Sequence, residues 1–221
     1  MNTSHDLVST VGDYAHATAT GDYAHATATG NDAHATATGY SAHALTTGDY
    51  AHATATGQRA HAATTGYSAH ALTTGYSAHA TTTGQRAHAT ATGNDAHALT
   101  TGDYAHALTT GYSAHATTTG QRAHATATGY SAHALTTGYS AHATATGNDA
   151  HAATTGANSI AVAVGANSSA RAASGGFIVL AQYNHDGDTV VAVKTAQVGK
   201  DGIKPDTWYT LSPTGEFVEA E

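Results

Sequence analysis

From residue 12 to residue 155 the chain is sixteen consecutive nine-residue units, Gly-x-x-Ala-His-Ala-(Thr/Leu/Ala)-(Ala/Thr)-Thr, with neither insertion nor deletion, and two degenerate units follow. A short period held this strictly restricts the chain to architectures in which like units stack and each touches only its neighbours. Within the array Pro is absent, Gly recurs only at position one, and the six residues between turns alternate in character. Alternation is the period of a strand. Helix competes because Ala favours it, but a Gly every ninth residue and the repeated Thr interrupt a continuous helix.

Nine residues are too few to close a coil, which needs at least two strands and two turns. Two units per coil, 18 residues, is the simplest solution and gives two parallel sheets face to face. With strands about 4.8 Å apart, eighteen units make nine coils about 43 Å long. Three units per coil, a triangular section, also satisfies the period. The expected fold class is all-β: a parallel β-solenoid (β-roll or β-helix) over residues 12–173, led by a coil over 1–11 and closed by a small β-meander cap over 174–221.

Strand parity divides each unit into two sets. Positions four, six and eight carry Ala, Ala and Ala or Thr; positions five, seven and nine carry His, then Thr, Leu or Ala, then Thr. Burying the second set would place sixteen imidazoles and many hydroxyls in a dry interior, where each unpaired group costs about 1–3 kcal/mol. The Ala set is therefore expected inside, and Arg171, at position seven, agrees. Against it stand Leu45, Leu72, Leu99, Leu108 and Leu135, with Ile160, Val162 and Val164, which all share the His parity. Were those the core, the His would form an internal ladder. With Ala inside, Ile160, Val162 and Val164 become the patch on which the cap sits. Variation concentrates at positions two and three, in four cassettes, Asp-Tyr, Asn-Asp, Tyr-Ser and Gln-Arg, as expected of solvent-facing turns.

After Ser174-Gly175-Gly176 the composition becomes that of an ordinary β domain. Strands are expected over 177–183 and 189–198, joined through a hairpin at 184–188, with others near 208–211 and 216–218. Trp208, Tyr209 and Phe217 read as the core of this segment, and its role as covering the exposed strand edges of the array.

Seven Lys and Arg against fifteen Asp and Glu leave a formal charge of −8, with no basic patch for nucleic acid. The 18 His would reverse that sign on mild acidification if they titrated freely. Cys is absent, which removes disulfides and thiolate metal sites. The opening MNTSHDLVSTV has no basic-then-apolar pattern, and no stretch reaches the ~18 apolar residues of a membrane span, so a cytoplasmic location is the default expectation.

The unit Gly156-Ala157-Asn158-Ser159-Ile160-Ala161-Val162 resembles the head repeats of trimeric autotransporter adhesins, which implies a parallel β-roll. The Gly-x-x-Ala-His-Ala array followed by Asp201-Gly202-Ile203-Lys204-Pro205-Asp206-Thr207-Trp208-Tyr209 is similar to uncharacterised bacterial and phage tandem-repeat proteins. That resemblance implies a repeat-protein class without an activity.

Three chemistries merit comparison. In an 18-residue coil His16, His34, His52, His70, His88, His106, His124 and His142 stack about 4.8 Å apart, so neighbouring imidazoles are candidate ligands for a transition metal. Their neighbours are Ala and Thr, with no carboxylate or thiolate to complete a set. Nine of the sixteen units carry a Thr-x-Thr pair at positions seven and nine; stacked, these resemble the ice-binding surfaces of insect β-solenoid antifreeze proteins, and Leu or Ala interrupts the other seven. A third role is contact with a protein partner or a second copy through a flat His and Thr face. For it the candidate residues are His25, His43, His61, His79, His97, His115, His133 and His151, with Thr20, Thr38, Thr56, Thr74, Thr92, Thr110, Thr128 and Thr146. Ten Tyr at the turns add contact area. Calcium binding would need an Asp in each turn, which only the Asp-Tyr and Asn-Asp cassettes supply. Nothing in the repeat distinguishes a catalytic constellation, so the expectation is a non-enzymatic structural or interaction protein without a cofactor, with ice binding and metal binding as alternatives.

Overall fold

The structure is a computed structural model and describes residues 6–184, 189–200 and 202–220; residues 185–188 of the expected hairpin turn lie outside the described residues. Each unit supplies one strand, in most cases running from its His to its last Thr, as in His16–Thr20 and His25–Thr29. Successive strands alternate between two sheets. Sheet 1 begins Leu7–Val11, His25–Thr29, His43–Thr47 and continues with every second strand to Ser169–Arg171. Sheet 2 begins His16–Thr20, His34–Thr38 and continues through Ile160–Val164 to Phe177–Tyr183. Strand neighbours are parallel, and across the array each residue pairs with the one 18 positions on, His over His and Ala over Ala. The chain is thus a parallel β-solenoid with two units per coil and about ten coils, one more than the repeat count alone gives, because residues 7–11 and 177–183 each add a strand.

Gly30 shows why position one admits no other residue. Its φ is +142°, and a Cβ there would run into the carbonyl oxygen of Gly12 one coil below. The column instead donates its N–H groups to the closing Thr of the next coil, as Gly30 does to the Thr47 carbonyl at 2.9 Å. The cassettes have a similar role. The Asp13 carboxylate accepts from the Asn31 N–H at 3.1 Å, and the Asp49 carboxylate from the Tyr67 N–H at 2.8 Å. Asp13, Asp49 and Asp103 thus serve as turn acceptors for the coil above.

The interior is the Ala set. Ala53, Ala55, Ala89 and Ala91 are 0–1% exposed, whereas Leu45, Leu72, Leu99 and Leu108 stand 43–46% exposed on the outside and Leu135, on the same parity, is partly buried. Position eight adds a feature that an all-Ala interior lacks. In sheet 1, Thr46, Thr64, Thr82, Thr100, Thr118 and Thr136 form six successive buried hydroxyls without a hydrogen-bond partner among the described residues. Sheet 2 has the same at Thr73 and Thr109 alone.

The C-terminal segment extends both sheets. Phe177–Tyr183 pairs in parallel with Ile160–Val164, and Val190–Gln197 then pairs antiparallel with it. Tyr209–Leu211 joins Ser169–Arg171 antiparallel, and Phe217–Glu219 follows it. The four closing strands thus form two hairpins, one on each sheet. Ile178, Leu180, Val198, Ile203 and Tyr209 fill the end of the Ala interior with larger side chains. Ile160 and Val162 lie on the outer surface in register with Phe177 and Val179, so these residues and Val164 flank the first closing strand within sheet 2 rather than lying beneath a cap.

Candidate functional site

The two outer faces carry the exposed chemistry, and strand parity places it there. On sheet 2, His16, His34, His52, His70, His88, His106, His124 and His142 form one continuous stack. On sheet 1, His25, His43, His61, His79, His97, His115, His133 and His151 form the other. Ring centroids are 4.6–4.9 Å apart in both. Each imidazole is partly covered by the rings above and below it.

One expected grouping requires correction. Thr20, Thr38, Thr56, Thr74, Thr92, Thr110, Thr128 and Thr146 lie on sheet 2, beside the His16 stack, not with the His25 stack. Consecutive units point to opposite sides of an 18-residue coil, so a Thr shares a face with the His of its own unit. The companions of His25 and its successors are Thr29, Thr47, Thr65 and the later closing Thr of sheet 1.

The Thr-x-Thr pairs are unevenly shared. Sheet 2 holds six of the nine, at Thr18, Thr36, Thr54, Thr90, Thr126 and Thr144 with their position-nine partners. Sheet 1 holds three, at Thr27, Thr81 and Thr117. Its position-seven row is rugged instead, and a shallow trough lies over Ala63, lined by His43, Leu45, His61, His79 and Thr81.

Burial first, then repulsion from neighbouring imidazoles, sets the protonation of the stacks. His88 and His124 are held below the usual histidine value by partial burial and then by the His on either side. His133 is lowered furthest, to about 4, by burial and then by His115 and His151. Twelve ladder His share this direction. The reversal of net charge expected on mild acidification is therefore displaced to lower pH.

The same stacking bears on metal binding. Two imidazole nitrogens bound to one ion at 2.0–2.1 Å can stand at most about 4.2 Å apart. Parallel rings such as His88 and His106, 4.8 Å apart and inclined by 3°, hold like nitrogens farther apart, with their lone pairs side by side. Sharing an ion would require neighbouring rings to tilt out of the stack. Among the described residues no group of three His, Asp or Glu is placed to hold a metal ion.

The sheet 1 stack ends in a cluster that the repeat does not announce. Ser169 takes the place of His and bonds His151 Nδ1 at 2.7 Å; Trp208 meets the His151 ring edge-on, and the Arg171 guanidinium lies 4.8 Å from the Trp208 ring centre. Ser169, only 3% exposed, closes the ladder with His151. The signal in the sequence is the loss of His from the last unit together with a lone Trp.

Compared with known proteins, the chain matches no family model, no curated protein and no solved structure.

Proposed function

We propose that this chain is a non-enzymatic structural or protein-interaction rod that presents its flat outer faces to other protein surfaces, a second copy included. The observation that supports this best is the ordered exposure of apolar and amphipathic groups on a rigid lattice. Leu45 and Leu99 on sheet 1, and Leu72 and Leu108 on sheet 2, stand 43–46% exposed among stacked imidazoles and Thr methyls, with Leu135 partly exposed in the same row. Single exposed apolar residues need no explanation, but an ordered flat array of them suits a contact surface. Tyr14, Tyr76 and Tyr112 project at the edges and widen the contact area.

The test is assembly at pH 8 followed by size exclusion with light scattering. A complex of definite stoichiometry, with itself or another protein, that an Arg at Leu99 or at Leu108 disrupts is the expected result. A chain that remains monomeric, joins no partner and reshapes growing ice crystals would contradict it.

That outcome belongs to a second reading, ice binding, which the concentration of six Thr-x-Thr pairs on sheet 2 favours. The Thr rows repeat about every 4.8 Å along the rod and about 6.7 Å across it. Thr54→Tyr should then abolish ice shaping, while Thr81→Tyr on sheet 1 leaves it intact. The resemblance to tandem-repeat proteins of bacteria and phage fits either reading.

A further inference from the structure

Position seven of sheet 1, read every 18 residues from 27 to 153, runs Thr-Leu-Ala-Thr-Leu-Thr-Leu-Ala, with Leu99 in the fifth place. Each Leu is a knob, and Ala63 leaves a hollow, the trough described above, whereas Ala153, 4% exposed beside Arg171, is already covered. Turned end for end about Leu99, this row sets the Leu135 knob over the Ala63 hollow, once from each copy, with Thr81 over Thr117, Leu99 over Leu99, and Leu45 over the small Ala153. We infer that sheet 1 is a self-association surface on which a second copy of this chain docks face to face and antiparallel, the two-fold axis crossing Leu99. The inference rests on the reading of the chain as a protein-contact rod and names the partner.

A two-fold axis along the strands reverses the rods while keeping each row of side chains opposite its own kind. The central row then interlocks, and imidazoles lie over imidazoles that are uncharged at pH 8. The parallel alternative sets every Leu against its own copy and Ala63 against Ala63, knob on knob and hollow on hollow. Sheet 2 lacks the device, because its position-seven row holds Thr, Leu and Val but no Ala.

The same register overlaps the two rods along nearly their whole length. Leu7 and Val11, 77% and 84% exposed, lie on the first strand of sheet 1. Reversal about Leu99 brings that strand opposite Tyr209–Leu211, the strand after Ser169–Arg171 and the one that follows Trp208. The full overlap is about ten strands of about 4.8 Å by five residues of about 3.3 Å, roughly 800 Å² per copy, which is what a standard protein–protein interface needs.

The test is sedimentation equilibrium at pH 8 on the full chain and four variants, with circular dichroism to check that each retains its strands. All the altered side chains point outward, so folding should persist. The wild type should be dimeric. Leu99→Arg places two like charges against each other on the axis and should raise the dissociation constant at least about 100-fold. Ala63→Leu fills a hollow that already receives Leu135 and should weaken the dimer about tenfold, while Ala63→Leu with Leu135→Ala should recover most of the loss. Leu108→Arg, on sheet 2, should change nothing. A dimer indifferent to Leu99→Arg, or a double variant no better than the single one, would overturn the inference. So would a dimer dissolved by Leu108→Arg, although the protein-contact reading would then survive on the other face. A wild type that is monomeric at every concentration also overturns it, leaving a different partner as the remaining form of that reading.

Discussion

At Gly93 a Cβ would run into the Gly75 carbonyl oxygen one coil below, so Gly93→Ala must push two coils apart in the middle of the rod. The expected loss is about 3 kcal/mol, measured from denaturant midpoints; a loss below about 0.5 kcal/mol would show that the column yields. Thr118 poses the opposite case. Its hydroxyl is buried without a partner, so Thr118→Val should raise stability by about 1 kcal/mol. A comparable loss would mean that the hydroxyl is satisfied in solution, for instance by interior water. Individual residues also show what could be read in advance. Position-eight Thr fall on the Ala side by parity alone, so their burial was legible; the missing partners depend on hydroxyl geometry, which no residue pattern carries.

The strand elements owe their parity to the cost of burying imidazole, and that cost also governs their response to acid. Burial and flanking rings hold His61, His88 and His133 below the value of about 6.5 that they have when unfolded. As pH falls below about 6.5 the unfolded chain takes up protons that the folded ladder refuses, so stability must fall. The loss continues until the folded values are passed, about 4 for His133, and levels off below them. Above about pH 7 both states hold neutral rings, and this contribution is flat. The melting temperature should therefore drop steadily between pH 7 and pH 4. A constant value across that interval would mean that the stacks titrate like free histidine. Stacking follows from the 18-residue spacing and was legible, whereas the extent of covering depends on the actual ring planes. The five outward Leu were the most misleading residues, because their parity alone favours them as core. Their exposure becomes intelligible when they are treated as contact groups.

At the scale of the whole molecule, the repeat dictates a two-sided rod, and the consequence hardest to see in one unit is that neighbouring units serve different faces. His25 and Thr20 are five residues apart yet belong to opposite sheets. The difference between the faces is a long-range property of the order of units: pairs rich in Thr gather on sheet 2, and the Leu and Ala relief on sheet 1. Closing strands at 177–183 and 190–197 were legible from ordinary strand pattern, but that this hairpin extends sheet 2 while the one at 209–211 and 217–219 extends sheet 1 requires knowing where each sheet ends. The central claim is that this rod is a surface for protein contact, used first by its own copy. Absolute mass by light scattering at pH 8, across a wide concentration range, tests it most directly. The expected particle has twice the 22.0 kDa chain mass, and Leu99→Arg reduces it to the single chain. A particle of 22.0 kDa at the highest concentration reached would contradict it.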